Sequence, residues 1–247
     1  DLHLSLRRQR QMCIRDRSKR NNIKLSYETP EQIIAAYDFH DLPSFLSIYY
    51  AAMSVLQTDQ DFYELTYQYF EKAAADNVVY VEPFFDPQAD AAKNLGVESN
   101  LIMCFLRDWS ADSAMEHLEM TRPFKNGIIG VCLDSDEKDN PPAKFAEVFF
   151  RARAEGYKLT MHCDVNQKDI LSHIRECLDL IEVDRIDHGV NCLEDKSLVQ
   201  NIVDRGLGLT VCPVSNRFVV QSLTSREIKT MLSRGIKATV NSDDPAY

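Results

Sequence analysis

Four short motifs in the C-terminal third of the chain each close an apolar run of strand length: Met161-His162-Cys163-Asp164, Arg185-Ile186-Asp187-His188-Gly189, Cys212-Pro213-Val214-Ser215-Asn216 and Asn241-Ser242-Asp243-Asp244-Pro245. Parallel strands that finish on His, Asp or Asn deliver those groups to one shared mouth. In an α/β barrel that mouth is where chemistry is done. Recurrence of this pattern on successive strands restricts the fold more than any other feature of the sequence.

Hydrophobic periodicity extends the pattern along the chain. Strands are predicted at Leu2–Leu4, Val78–Phe85, Leu101–Leu106, Ile128–Leu133, Lys158–His162, Arg185–Asp187, Leu207–Cys212 and Lys237–Asn241. Helices are predicted at Glu31–Phe39, Pro43–Leu56, Asp61–Ala75, Ala111–Met120, Pro142–Glu155, Lys168–Ile181, Asp195–Asp204 and Ser225–Ser233. Gly206 and Gly235 stand where a helix ends in a left-handed residue, and Thr224 to Glu227 has capping-box spacing. Eight strands alternating with helices predict an α/β fold of the (β/α)8 TIM-barrel type, one domain over residues 1–247. Two edges of that barrel read as incomplete. The connection between the second and third strands is short for a parallel crossover, and the chain stops directly after the eighth strand.

Composition narrows the partners. A formal charge of −10 opposes a nucleic-acid-binding role, which needs a basic face. No apolar run approaches membrane-span length, and no secretory leader is read. The seven cysteines include no Cys-x-x-Cys pair and read as reduced thiols of a cytoplasmic protein. The basic string Arg7–Arg17 resembles a translated sequencing-library adapter and reads as a non-native segment; a basic arm and a solvated linker are the other readings.

The strand-end groups suit metal-assisted hydrolysis. Zinc takes nitrogen and carboxylate donors and leaves a position open for water. His162 reads as a ligand, and His188 as the base that takes the water's proton, with Asp187 fixing its ring or pairing with Arg185. Of Asp243 and Asp244, one suits the metal and the other a substrate hydrogen bond; turn capping is the alternative. His3 is the first strand's donor, with Ser5 two residues on where a second imidazole would share its face. His40, His117 and His173 read as surface or capping residues. Phe84, Phe85 and Trp109 read as core, with purine stacking the alternative.

Assembled, these residues resemble the adenosine/adenine deaminase family of the amidohydrolase superfamily from Ser18 to Tyr247. Val81-Glu82-Pro83-Phe84-Phe85-Asp86-Pro87-Gln88 and Leu133-Asp134-Ser135 are similar to the adenine deaminase branch. The resemblance implies a one-zinc barrel that converts a 6-aminopurine, either adenine or an N6-substituted adenine, to its 6-oxo product with release of ammonia. By position it implies that His3, His162 and Asp243 hold the metal and that His188 is the catalytic base. Asp164 then takes the place of the family's acid, a glutamate one position later. Asp244 contacts the purine at N7, and Ser135 near N3. The chain departs from the family pattern at Ser5, where the family has a second His, at Asp164, and around Gly96–Ser99, where a crossover helix is expected. A catalytically inactive barrel remnant that binds purine or a partner is the alternative function. Oligomeric state is not legible.

Overall fold

The computed structural model describes residues 13–27, 29–36, 41–84, 98–163, 169–219 and 225–243. Residues 13–20 are helical, so part of the basic string is folded: Arg17 is buried and pairs with Asp61 and Glu64. Helices α1 (Pro30–Ala36), α2 (Leu42–Met53) and α3 (Asp59–Ala75) follow. The latter two begin at side-chain caps, Asp41 accepting from the Ser44 amide and Thr58 from the Asp61 amide, which occupies donors a helix start leaves free.

The sheet is entirely parallel among the described residues. Strand β1 (Tyr80–Val81) pairs with β2 (Glu98–Ser99), and a bridge from Phe84 to Ile102 ties the same segment to β3 (Leu101–Leu106). β3 is followed by β4 (Ile128–Asp134), β5 (Lys158–Cys163), β6 (Arg185–His188), β7 (Gly208–Val211) and β8 (Lys237–Val240), in the spatial order β3-β4-β5-β6-β7-β8. Spatial order equals chain order, and the winding never reverses. A doubly wound sheet must contain such a reversal, whereas a barrel wall contains none. Between the strands lie α4 (Ala111–Met120), α5 (Ala146–Ala154), α6 (Ile170–Arg175), α7 (Lys196–Arg205), α8 (Pro213–Val219) and α9 (Ser225–Ser233). The predicted strand Leu2–Leu4 and the crossover over residues 85–97 lie outside the described residues. Helix α8 was not anticipated; it opens on Pro213, whose missing N–H costs nothing in a first turn.

Strand alternation sets the two environments. On β5, Leu159, Met161 and Cys163 are buried with Val148, Phe149 and Ala152 of α5, Ile174 of α6 and Leu198 and Ile202 of α7 in one core. Each large apolar side chain so buried contributes roughly 1.5–3 kcal/mol. Thr160 and His162 have the opposite parity. Register pairs His162 with Asp187, Asp187 with Thr210 and Thr210 with Thr239, so one row of polar residues crosses β5 to β8. All seven cysteines are free thiols, as expected.

Alternation alone would turn His188 outward with Ile186. Its positive φ of 63° breaks the strand and redirects the ring, and Gly189 continues the turn at φ 73°. A Cβ on Gly189 would lie 2.8 Å from Leu209 Cδ2 and 2.9 Å from Ile186 Cγ2. Gly189→Ala therefore combines left-handed strain with overpacking and is expected to destabilise the chain by about 2–4 kcal/mol. Urea denaturation checks this, and a loss below about 1 kcal/mol would show that the turn relaxes at little cost.

Candidate active site

The concave face of the sheet bounds a cavity of about 1550 Å³, lined at the strands' C-terminal ends by Asp134, Ser135, His162, Asp187, His188, Cys212 and Asp243. Tyr50 of α2, Phe84 and Trp109 also line it. Phe84 and Trp109 are 36% and 54% exposed, so the expectation that they are core residues fails. The Phe84 ring stands 5.1 Å from that of His162, at the mouth. Nearness of Phe84 to Ile102 in the sheet places it there, which its own apolar run does not disclose.

His162 and His188 come together, their ring centroids 5.2 Å apart. His162 Nδ1 lies 3.2 Å from Cys132 Sγ and 4.0 Å from Asp187 Oδ2. Burial disfavours the charged imidazole most strongly, yet the Cys132 sulfur and the Asp187 carboxylate together outweigh it and raise its pKa to about 9. Asp187 is fully buried and accepts from the Thr160 hydroxyl, from Thr210 Oγ1 at 2.7 Å and from Arg185 Nε at 3.0 Å. Burial pushes its carboxyl up, but His162, Arg185 and the two hydroxyls hold it below the usual carboxylate range. Arg185 continues to Glu82 at 2.6 Å.

Asp187 thus faces His162 and Arg185. The reading in which it fixes the His188 ring is corrected, since both its oxygens are taken by Thr160, Thr210 and Arg185. His188 instead meets Asn216 of α8, Nδ1 to Oδ1, at 2.9 Å. Its Nε2 lies 3.9 Å from Asp243 Oδ2. Asp243, also at positive φ, follows β8 and completes this side of the mouth. Ser135 has a φ of 76°, and its Oγ is 2.8 Å from Tyr50 Oη, which joins α2 to the end of β4. His3, Asp164 and Asp244 lie outside the described residues.

Among the described residues, donor atoms that could hold a cation form two trios, Cys132–His162–Asp187 and His188–Cys212–Asp243, each with all atoms within 4.8 Å. His162 and Asp243 belong to different trios, with His188 in contact with both. Imidazole and carboxylate donors on neighbouring strand ends are the types zinc takes, so the residues present fit such an ion.

Sequence reasoning missed a buried cluster behind the site. His173 is buried, not a surface residue, and its Nδ1 is 2.9 Å from Glu137 Oε1. Its place on α6 between Ile170 and Ile174, along the apolar stripe, was the signal that it faces inward. Arg107 stands 4.0 Å from Glu137 and donates to the His162 carbonyl at 2.8 Å. His117, by contrast, is exposed on its helix, as expected, with Nδ1 2.7 Å from the Ser113 carbonyl oxygen.

Singly wound parallel strands whose ends bring His162, His188 and Asp243 to one mouth define an α/β barrel enzyme of the hydrolase class. The adenosine deaminase family model matches residues 3–95 and 88–247. The chain is 47% identical to an uncharacterised deaminase of Schizosaccharomyces pombe over 93% of its length and 74% of that protein's. It is 44% identical to an adenine deaminase of Rhodospirillum rubrum, with coverage of 93% and 75%. In structure it matches an adenine deaminase of Arthrobacter aurescens with a TM-score of 0.87 at 38% identity, covering 96% of this chain and 79% of that one. The chain belongs to the adenosine deaminase family.

Proposed function

We propose that this chain hydrolyses adenine to the 6-oxopurine and ammonia, using one zinc ion. The observation that carries the reading is His188: buried at the cavity mouth, it has one ring nitrogen fixed by Asn216 and the other directed toward Asp243. Relatives named adenine deaminase at 44% identity support the choice of substrate. Similarity of the Asp134-Ser135 strand end to that branch also supports it.

His162 and Asp243, with His3, would hold the ion, and His162 would use the ring nitrogen that does not meet Cys132. Zinc, when bound, supplies Lewis-acid activation of a water molecule. His188 Nε2 takes that water's proton as its oxygen bonds to purine C6. Asp164 donates a proton to the ring nitrogen beside C6, His188 passes the proton it holds to the amine as the C6–N6 bond breaks, and ammonia leaves while the new oxygen's remaining proton returns to Asp164. Asp244 and Ser135 orient the ring, Ser135 backed by the Tyr50 hydroxyl. The charge of −10 suits a small-molecule substrate in the cytoplasm better than nucleic acid. Among the described residues no helix is long and apolar enough to cross a membrane.

The test is ammonia release from adenine, N6-methyladenine and adenosine by the purified chain with zinc, alone and as Ser5→His. Adenine is expected to react fastest. Ser5→His is expected to tighten zinc binding by about tenfold or more and to raise turnover, because a second imidazole joins that of His3. If Ser5→His retains zinc and every 6-aminopurine is still unchanged, the reading is overturned in favour of a non-catalytic purine-binding barrel.

A further inference from the structure

The motif Cys212 to Asn216 was singled out in the sequence, yet the reaction as described gives it no task. We infer that Asn216 is the positioning residue for His188, selecting the imidazole tautomer in which Nδ1 carries the proton and Nε2 is the basic nitrogen. The inference rests on the reading of His188 as the base.

Its support is geometric. β6 and β7 are adjacent, and the chain leaves β7 directly into α8, so Asn216 arrives in the first turn of that helix beside the end of β6. The Asn216 amide nitrogen donates to the Cys212 carbonyl at 2.9 Å, which fixes its backbone. Asn216 is 2% exposed and His188 8%, so water does not compete for the contact between them. The acceptor at 2.9 Å from Nδ1 is an amide oxygen, which has no proton to give; the ring nitrogen must therefore be the donor. The second nitrogen, Nε2, then holds the lone pair toward the mouth and Asp243.

The choice of an amide over a carboxylate has its own chemical consequence. A carboxylate at this position would favour the doubly protonated ring, which cannot accept a proton. An amide fixes orientation and tautomer without adding charge. Asp187, the carboxylate next to His188 in sequence, is held away by Thr160, Thr210 and Arg185. The base is thus served by a neutral partner while a buried carboxylate stands one residue away.

Two variants and one spectrum test this. Asn216→Leu keeps the volume and removes the acceptor; Asn216→Asp keeps an acceptor. With zinc-loaded protein and adenine, Asn216→Leu is expected to lower kcat by about a hundredfold or more while KM changes by less than about threefold, the pattern for loss of an orienting bond to a base. Asn216→Asp is expected to keep His188 protonated at Nδ1, because a carboxylate also accepts from that nitrogen, while the charge it adds keeps kcat below that of the unmodified chain. In the unmodified chain, nitrogen NMR of isotope-labelled imidazole should show His188 protonated at Nδ1. In Asn216→Leu that preference should disappear. A His188 protonated at Nε2 in the unmodified chain overturns the inference, as does an Asn216→Leu enzyme with unchanged kcat. The spectrum needs no turnover, so absence of deaminase activity in every form would overturn the functional reading while the tautomer is still measured.

Discussion

His188→Asn is expected to reduce adenine deamination by about 10²–10⁴-fold, the range over which a positioned general base contributes. Asparagine is the replacement that isolates chemistry from folding. His188 sits at φ 63°, where most side chains are strained, and asparagine is among the few residues that adopt this conformation readily. It also fits the space between Asn216 and Asp243 and retains a hydrogen-bonding side chain. What it lacks is a nitrogen that can take a proton near neutral pH. Adenine affinity should change little, because proton transfer belongs to the transition state and not to ground-state binding. Steady-state ammonia release and equilibrium binding of adenine separate the two effects. A variant with more than about a tenth of the parent kcat would mean that another group takes the proton.

Arg107→Met is expected to destabilise the fold by about 3–5 kcal/mol, as removal of one member of a buried charge cluster does. Arg107 is completely buried at the end of β3. Its Nε donates to the Asn140 carbonyl at 3.0 Å and its Nη1 to the His162 carbonyl at 2.8 Å. Its charge stands against Glu137, which in turn meets His173. Methionine fills most of the volume but leaves two carbonyls without this donor and Glu137 without its cation. Because one of those carbonyls belongs to His162, the end of β5 should shift as well, so zinc affinity should fall together with stability. At 2–4 °C per kcal/mol for a chain of this size, the midpoint of thermal unfolding should drop by on the order of 10 °C. Circular dichroism melting measures it. A drop of only about 2 °C would show that the cluster is held by packing and not by charge.

How much of this was legible in the sequence follows from which interactions are local. β3 and helices α4 and α9 fall on their predicted bounds because alternation of apolar residues, helical spacing and end signals act over a few residues. Gly206 and Gly235 end their helices at positive φ as their positions indicate. The strand-end motifs are local too. Once strands are parallel, a His or Asp at the C-terminal end of each must arrive at the same face, so His162, His188 and Asp243 could be placed at one mouth before any coordinates.

Partnership was decided by the tertiary structure. Asp187 is the nearest carboxylate to His188 in sequence, and strand pleating turns it to His162 and Arg185 instead. Asn216, 28 residues further on, reaches His188 because β6 and β7 pair and α8 begins at once. Glu137 and His173, 36 residues apart, meet across the layer between sheet and helices. The sequence by itself determined the elements, their order and the chemical groups at the mouth, since each depends on the intrinsic geometry of a short segment. Only pairing of the parallel strands decided which group faces which, because a side chain's partner is fixed by register between strands and by the few left-handed residues, His188 among them, that turn the backbone out of its regular path.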